Sequence, residues 1–177
     1  NHTDVPPLDA YRLPKVWQED NMFPLIKDPR GHANDRMAPG GWVARVDSLG
    51  TNWELISAGY RNAFDITFNE DGEMFAYDSD MEWDFGMPWY RPTRICHVTS
   101  GSEFGWRTGN SKWSPDFPDN LPPVINIGQG SPTNLLHGMN ANFPEKYKHA
   151  LFASDWSFGI IYAIHLKPNG SSYTAEP

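Results

Sequence analysis

The stretch AFDITFNEDGEMFAYDSD, residues 63–80, decides the fold. Apolar and polar residues alternate up to Asn69, Glu70-Asp71-Gly72 supplies a turn, and a second apolar run ends in acids. Period-two alternation on both sides of an Asp-Gly turn is the signature of a β-hairpin. Phe64, Ile66 and Phe68 fall on one face of its first strand.

The same texture extends outward. Upstream, GWVARVD (41–47), SLGTN (48–52) and WELISAG (53–59) read as strand, turn and strand. Downstream, RICHVTS (94–100) makes a third strand beside the first hairpin. PPVINIG (122–128) makes a fourth after the long loop EFGWRTGNSKWSPDFPDN (103–120). ALFASDW (150–156), GIIYAIHLKP (159–168) and the turn NGSS (169–172) then restart the pattern. Residues 1–40 are proline-rich and lack a sustained period, so they are expected to be an extended loop ordered by Trp17, Phe23 and Leu25.

Composition agrees with a turn-dense β protein. The 177 residues include 16 Pro and 15 Gly, and eight Trp, ten Phe and seven Tyr supply the large buried surfaces. A net charge of −8 makes nucleic acid and anionic membranes poor partners. No apolar run approaches the roughly 20 residues of a membrane span. The single cysteine, Cys96, excludes an internal disulfide, and with His97 it lacks the Cys-x-x-Cys-His of covalent haem attachment.

One internal repeat narrows the architecture. EMFAYDSDMEWDFG (73–86) and ALFASDWSFG (150–159) share the order apolar, Phe, Ala, one residue, Asp, then Phe-Gly. Copies in equivalent places among short strands point to four-stranded β-propeller blades. The expectation is an all-β partial propeller over residues 41–177, with two or three blades. Open sheet edges at both ends make it a central slice of a larger ring.

With these segments assembled, GGWVARVD (40–47) and LISAGYRNAFDITFNEDGEMFAYDSD (55–80) resemble the glucose/sorbosone dehydrogenase family of soluble quinoprotein β-propellers. DSDMEWDFGMPWYRPTRICHVTSGSEFGWR (78–107) and FPEKYKHALFASDWSFGIIYAIHLKPNGSSY (143–173) are similar to its membrane-bound-dehydrogenase branch from planctomycete-type bacteria. The resemblance spans roughly residues 38–174. It implies a periplasmic or extracellular enzyme acting on a carbohydrate or alcohol, with pyrroloquinoline quinone (PQQ) and Ca²⁺ as cofactors. It also implies a cytochrome-c-like haem domain elsewhere as a possible partner. A non-catalytic propeller that binds a glycan or a protein is the alternative.

The candidate residues follow. Gly59-Tyr60-Arg61-Asn62 matches the family's Arg-Asn motif, which implies a catalytic and cofactor-binding role for Arg61. A guanidinium fork suits a carboxylate-bearing quinone. Asn62 is a turn residue or a cofactor ligand. Arg91 and Arg107 stand beside Trp89, Tyr90 and Trp106, a combination that fits either a polar cofactor pocket, with Arg91 and Trp106 as ligands, or an aromatic core with cation–π contacts. Asp78, Asp80, Glu82 and Asp84 repel one another unless something positive lies between them. Asp78, Asp80 and Glu82 are the candidate metal ligands, Arg91 and Arg94 the candidate ion-pair partners, and solvent the third possibility. The family's catalytic histidine lies upstream of the Arg-Asn motif; His32 stands in a different context, so the base role is not transferred to it. His97 and His137 are read as structural.

Overall fold

The computed structural model describes residues 8–14, 40–82, 87, 90–107 and 113–176. Trp17, Phe23, Leu25, His32, Asp84 and Trp89 lie outside the described residues, as does most of the expected 1–40 loop. The chain divides into two compact units, one of residues 1–62, 81–91 and 99–122, the other of residues 63–80, 92–98 and 123–177.

The first unit is built on the hairpin read from GWVARVD and WELISAG. Strands β2 (Gly41–Val46) and β3 (Trp53–Tyr60) pair antiparallel. Their turn is tied by Asp47, whose carboxylate accepts from Thr51 N at 2.7 Å, Thr51 Oγ1 at 2.8 Å and Asn52 Nδ2. These bonds, the Thr51 backbone N–H foremost, hold Asp47 well below the usual carboxylate range. The far edge of β3 is covered twice. β1 (Ala10–Tyr11) pairs parallel with Glu54 and Leu55, and further along, Glu103 bridges Ala58, also in parallel. The proline-rich segment therefore holds a short strand that its irregular sequence does not announce. Leu13, Leu55 and Ala58 form the small core beneath.

The second unit holds two four-stranded antiparallel meanders. One is β4 (Asp65–Phe68), β5 (Met74–Asp78), β6 (Thr93–His97) and β7 (Ile125–Gly128). The other is β8 (Pro132–His137), β9 (Ala150–Asp155), β10 (Ile160–Asn169) and β11 (Ser172–Glu176). A single helical turn, α1 (Glu145–Lys148), precedes β9. Strand β8, with sequence PTNLLH, is absent from the periodicity reading because Pro132 opens it and polar Thr133 and Asn134 fill its first half.

The two sheets share one core, in which Phe75, Tyr77 and Ile95 of the first meet Leu135, Leu151 and Ile164 of the second, all 0 or 1% exposed. Burying side chains of this size contributes about 1.5–3 kcal/mol each. Their inner strands are also tied by side chains. Asp65 Oδ2 accepts from Leu135 N at 3.1 Å and Asn134 Nδ2 at 3.2 Å, and Thr67 Oγ1 accepts from His137 N at 3.1 Å. These acceptors satisfy edge N–H groups of β8 that no neighbouring strand pairs. Phe64, Ile66 and Phe68 remain 59, 42 and 47% exposed, so the shared face read from the alternation is the open one and Thr67 occupies the buried side of β4.

Candidate functional site

In the first unit the Gly-x-Arg-Asn motif closes β3. Gly59 has φ +84°, and a Cβ there would stand 1.7 Å from Glu103 Oε1 and 2.6 Å from the backbone nitrogens of Phe104 and Gly105. Only glycine satisfies both the conformation and the space. The close approach exists because residues 103–106 run alongside β3: Phe104 N donates to Ala58 O and Trp106 N to Gly59 O, both at 3.0 Å. Trp106 is thereby placed against the motif.

Glu103 and Arg107 fasten this segment. Glu103 Oε1 accepts from Gly105 N at 2.8 Å and Arg107 Nη1 at 3.0 Å, and Oε2 accepts from Arg107 Nη2 at 3.3 Å. Arg107 is 1% exposed, also donates to Trp106 O at 2.8 Å, and lies 4.4 Å from the Trp113 ring centroid. Of the two roles read for the aromatic and arginine residues, Arg107 takes the core cation–π one. The Glu103 partnership escaped the sequence reading, although its i, i+4 spacing to Arg107 is visible. Arg61 and Asn62 follow Tyr60 half-buried, and Arg91 exchanges backbone hydrogen bonds with Met81 at 2.7 and 2.9 Å. Among the described residues, the Trp106 indole N–H is buried without an acceptor. An orphaned buried donor beside an arginine-bearing strand end fits an anionic or carbonyl-bearing ligand such as PQQ.

The second unit gathers polar residues at the ends of β5, β7 and β9. Asp78 ends β5 with no exposed surface; its Oδ2 accepts from Arg94 Nε at 3.0 Å and Nη2 at 2.9 Å, and its Oδ1 from Ser79 N at 3.0 Å. The pair is directly cross-strand. Asp80 accepts from Gly130 N at 3.3 Å. Asp155, the repeat partner of Asp78, ends β9 as read; its Oδ2 accepts from Ser131 N at 2.7 Å and its Oδ1 from Phe158 N at 3.0 Å. A Cβ on Gly130 would lie 1.7 Å from Asp155 Oδ2, which explains glycine there.

The repeated aspartates thus do different work, one neutralising a buried guanidinium and one capping two loops. Between the sheets, burial pushes the Tyr77 hydroxyl up to about 12, with Asp155, Tyr162 and Asp80 adding to the effect and the Thr93 hydroxyl opposing it. Tyr77 stays protonated at neutral pH. Trp156 and Phe158, on the turn after Asp155, are 71 and 55% exposed, an aromatic rim that the sequence reading did not single out.

Asp78 and Asp80 belong to the second unit and Glu82 to the first. Among the described residues no group of three or more His, Cys, Asp or Glu side chains is arranged to hold a metal ion. Ca²⁺ takes six to eight oxygens, which an Asp78 carboxylate shared with Arg94 and Ser79 does not begin to assemble. His97 and His137 are engaged structurally: His97 with Glu73 at 2.9 Å and Ser172 at 3.0 Å, His137 through Nδ1 with Met139 N at 3.2 Å.

Two consecutive four-stranded meanders packed face to face, with their inner strands side by side, are blades of a β-propeller. The chain's fold is similar to that of an oxidoreductase (glucose dehydrogenase) from Thermus thermophilus, with TM-score 0.53 and 16% identity over 70% of this chain and 33% of that one. It is similar also to the PQQ-bound form of aldose sugar dehydrogenase from Streptomyces coelicolor, with TM-score 0.56 and 14% identity over 77% of this chain and 39% of that one. The chain thus spans between a third and two-fifths of those propellers. No family model matches the sequence, and no curated protein matches it. Among the described residues no helix is long and apolar enough to cross a membrane.

Proposed function

We propose that the chain is part of an exported, quinoprotein-type sugar or alcohol dehydrogenase propeller, with PQQ as its cofactor. The observation that carries this reading is the buried, acceptor-less Trp106 indole N–H against the Gly59–Asn62 motif. The likeness to propellers whose names include glucose dehydrogenase and aldose sugar dehydrogenase supports it. The nearer kinship to the planctomycete-type branch rests on residues 78–107 and 143–173 alone.

In this reading Trp106 donates to an oxygen of the cofactor. Arg61, held at the end of β3, pairs with a carboxylate and orients the ring, while Asn62 and Arg91 add donors from the same unit. When bound, PQQ supplies an acceptor for the hydride that leaves the substrate carbon. The Glu103–Arg107 pair keeps the Trp106 segment in register with β3. The described residues do not form a Ca²⁺ cage, so no step is assigned to that ion, and Asp78 is assigned to holding Arg94. His97 and His137 are committed to structural contacts and are not assigned as the base. A propeller that binds a saccharide without chemistry is the second reading, favoured by the commitment of Asp78 to Arg94 and by the exposed Trp156 rim.

Calorimetric titration of PQQ into the protein and its Trp106→Phe and Arg61→Ala variants tests the assignment. Trp106→Phe removes one neutral donor, worth about 0.5–1.5 kcal/mol, so binding weakens about 2- to 13-fold. PQQ that fails to bind the wild type, or binds Trp106→Phe equally well, overturns the cofactor reading.

A further inference from the structure

We infer that the turn end of the β2–β3 hairpin carries a second, non-catalytic binding groove for a neutral saccharide. A cavity of about 460 Å³ opens there, lined among others by Asp9, Arg45, Asp47, Asn52, Trp53 and Glu54. Its size falls within the range of small-molecule sites. None of these residues is used in the proposed dehydrogenase chemistry, and all belong to the first unit.

The lining is preorganised. Asp9 Oδ2 accepts from Trp53 N at 2.7 Å, which ties the segment before β1 to the start of β3. Asp47 is fixed by Thr51 and Asn52. Glu54 lies between Arg12 Nε at 2.9 Å and Arg45 Nη2 at 2.7 Å. Trp53 is pinned by its own indole donating to Gly50 O at 3.1 Å and by edge contact with Trp42, with centroids 6.3 Å apart. Each acceptor holds its position before a ligand arrives, so binding orders few side chains.

The chemistry of the lining selects the ligand class. A carboxylate oxygen accepts more than one hydrogen bond, so Asp9, Asp47 and Glu54 keep capacity for hydroxyl donors after their internal bonds are made. Arg12 and Arg45 face Glu54, so two guanidinium groups stand against the three carboxylates of Asp9, Asp47 and Glu54, and the small negative excess that remains is what the cationic control probes. Arg45, with a side chain 71% exposed, supplies donors toward ring or hydroxyl oxygens. Trp53 supplies the one aromatic surface, suited to the C–H face of a pyranose. Fixed acceptors, one exposed guanidinium and one indole match a hydroxyl-rich, uncharged ring.

The test is saturation-transfer NMR and calorimetry on the full chain without PQQ, with maltohexaose, cellohexaose, xylohexaose and chitohexaose as probes and spermidine as the cationic control. The expectation is uptake of at least one oligosaccharide. It weakens at least tenfold in Arg45→Ala, whose side chain is 71% exposed, and in Trp53→Ala, each variant being shown folded by circular dichroism. Absence of oligosaccharide binding overturns the inference, as does binding unchanged in Arg45→Ala, or spermidine as the preferred ligand. Because the assay contains no PQQ and uses residues away from the Gly59–Asn62 motif, it stands or fails apart from the dehydrogenase reading.

Discussion

Replacing Arg94 by Met tests whether Asp78 is there to hold an arginine. Asp78 has no exposed surface and Arg94 is 5% exposed, so neither side chain recovers solvation when the other is removed. Two charge-assisted bonds of 2.9 and 3.0 Å converge on one carboxylate oxygen, and Arg94→Met deletes both while roughly keeping the volume of the stem. Breaking a buried pair this way costs about 3–5 kcal/mol, because the remaining charge is left desolvated. For a chain of this size that lowers Tm by about 6–20 °C. Urea denaturation and calorimetric melting measure it directly. The combined Asp78→Leu/Arg94→Met variant removes both charges and should recover most of the loss. A cost below about 1 kcal/mol in Arg94→Met refutes the argument. So does recovery of stability on adding Ca²⁺ to that variant, which would return Asp78 to the metal-ligand role.

Gly59→Ala should destabilise far more than Gly72→Ala, measured by melting temperature and soluble yield. Both positions have positive φ, +84° and +80°, but a methyl at Gly72 meets nothing within 4 Å while at Gly59 it displaces the Glu103 carboxylate. The shared strain costs about 1–2 kcal/mol, and disturbing the Glu103–Arg107 pair adds about 3 kcal/mol or more at Gly59 alone. Stability should also fall as pH drops below about 6.5. Burial holds the His137 imidazole below its ordinary value, against the opposing pull of Glu70 and with the positive charge of nearby His149 adding to the depression. The unfolded chain therefore binds the proton first, and folding loses at most about 1.4 kcal/mol per pH unit in that window. The wild type minus His137→Asn difference in urea midpoint, taken at pH 7.5 and 5.5, isolates this contribution.

The strands that repeat apolar residues at period two were legible, and so was the equivalence of Asp78 and Asp155, because both rest on local order. Strand β8 was not, since PTNLLH carries its apolar residues only at the end and owes its pairing to β9. Which face of β4 is covered was not legible for a related reason. Alternation shows that Phe64, Ile66 and Phe68 lie together, but which side is covered depends on Leu135 arriving from 70 residues away. At the candidate site, the resemblance pointed to Gly59–Asn62 and Trp106, and the backbone bonds do bring Trp106 to Gly59. The choice among metal, arginine and solvent for the acids could not be made from spacing, because Arg94 reaches Asp78 by strand register rather than by sequence proximity. Glu103 went unnoticed because its importance lies in a missing Cβ on another strand.

The ties from Asp65 and Thr67 to β8 have a consequence for synthesis. Each joins residues 70 positions apart, so β4 leaves the ribosome well before the strand whose N–H groups it will accept. At about 5–20 residues per second the wait is about 4–14 s. Throughout it the nascent β4–β5 hairpin leaves Phe75 and Tyr77, which the finished core covers with Leu135, open to solvent, and the Asp65 and Thr67 acceptors are bonded only to water. A chain slowed just before Pro132 would prolong this vulnerable interval, and a chaperone that shields one short aromatic strand would protect the whole assembly.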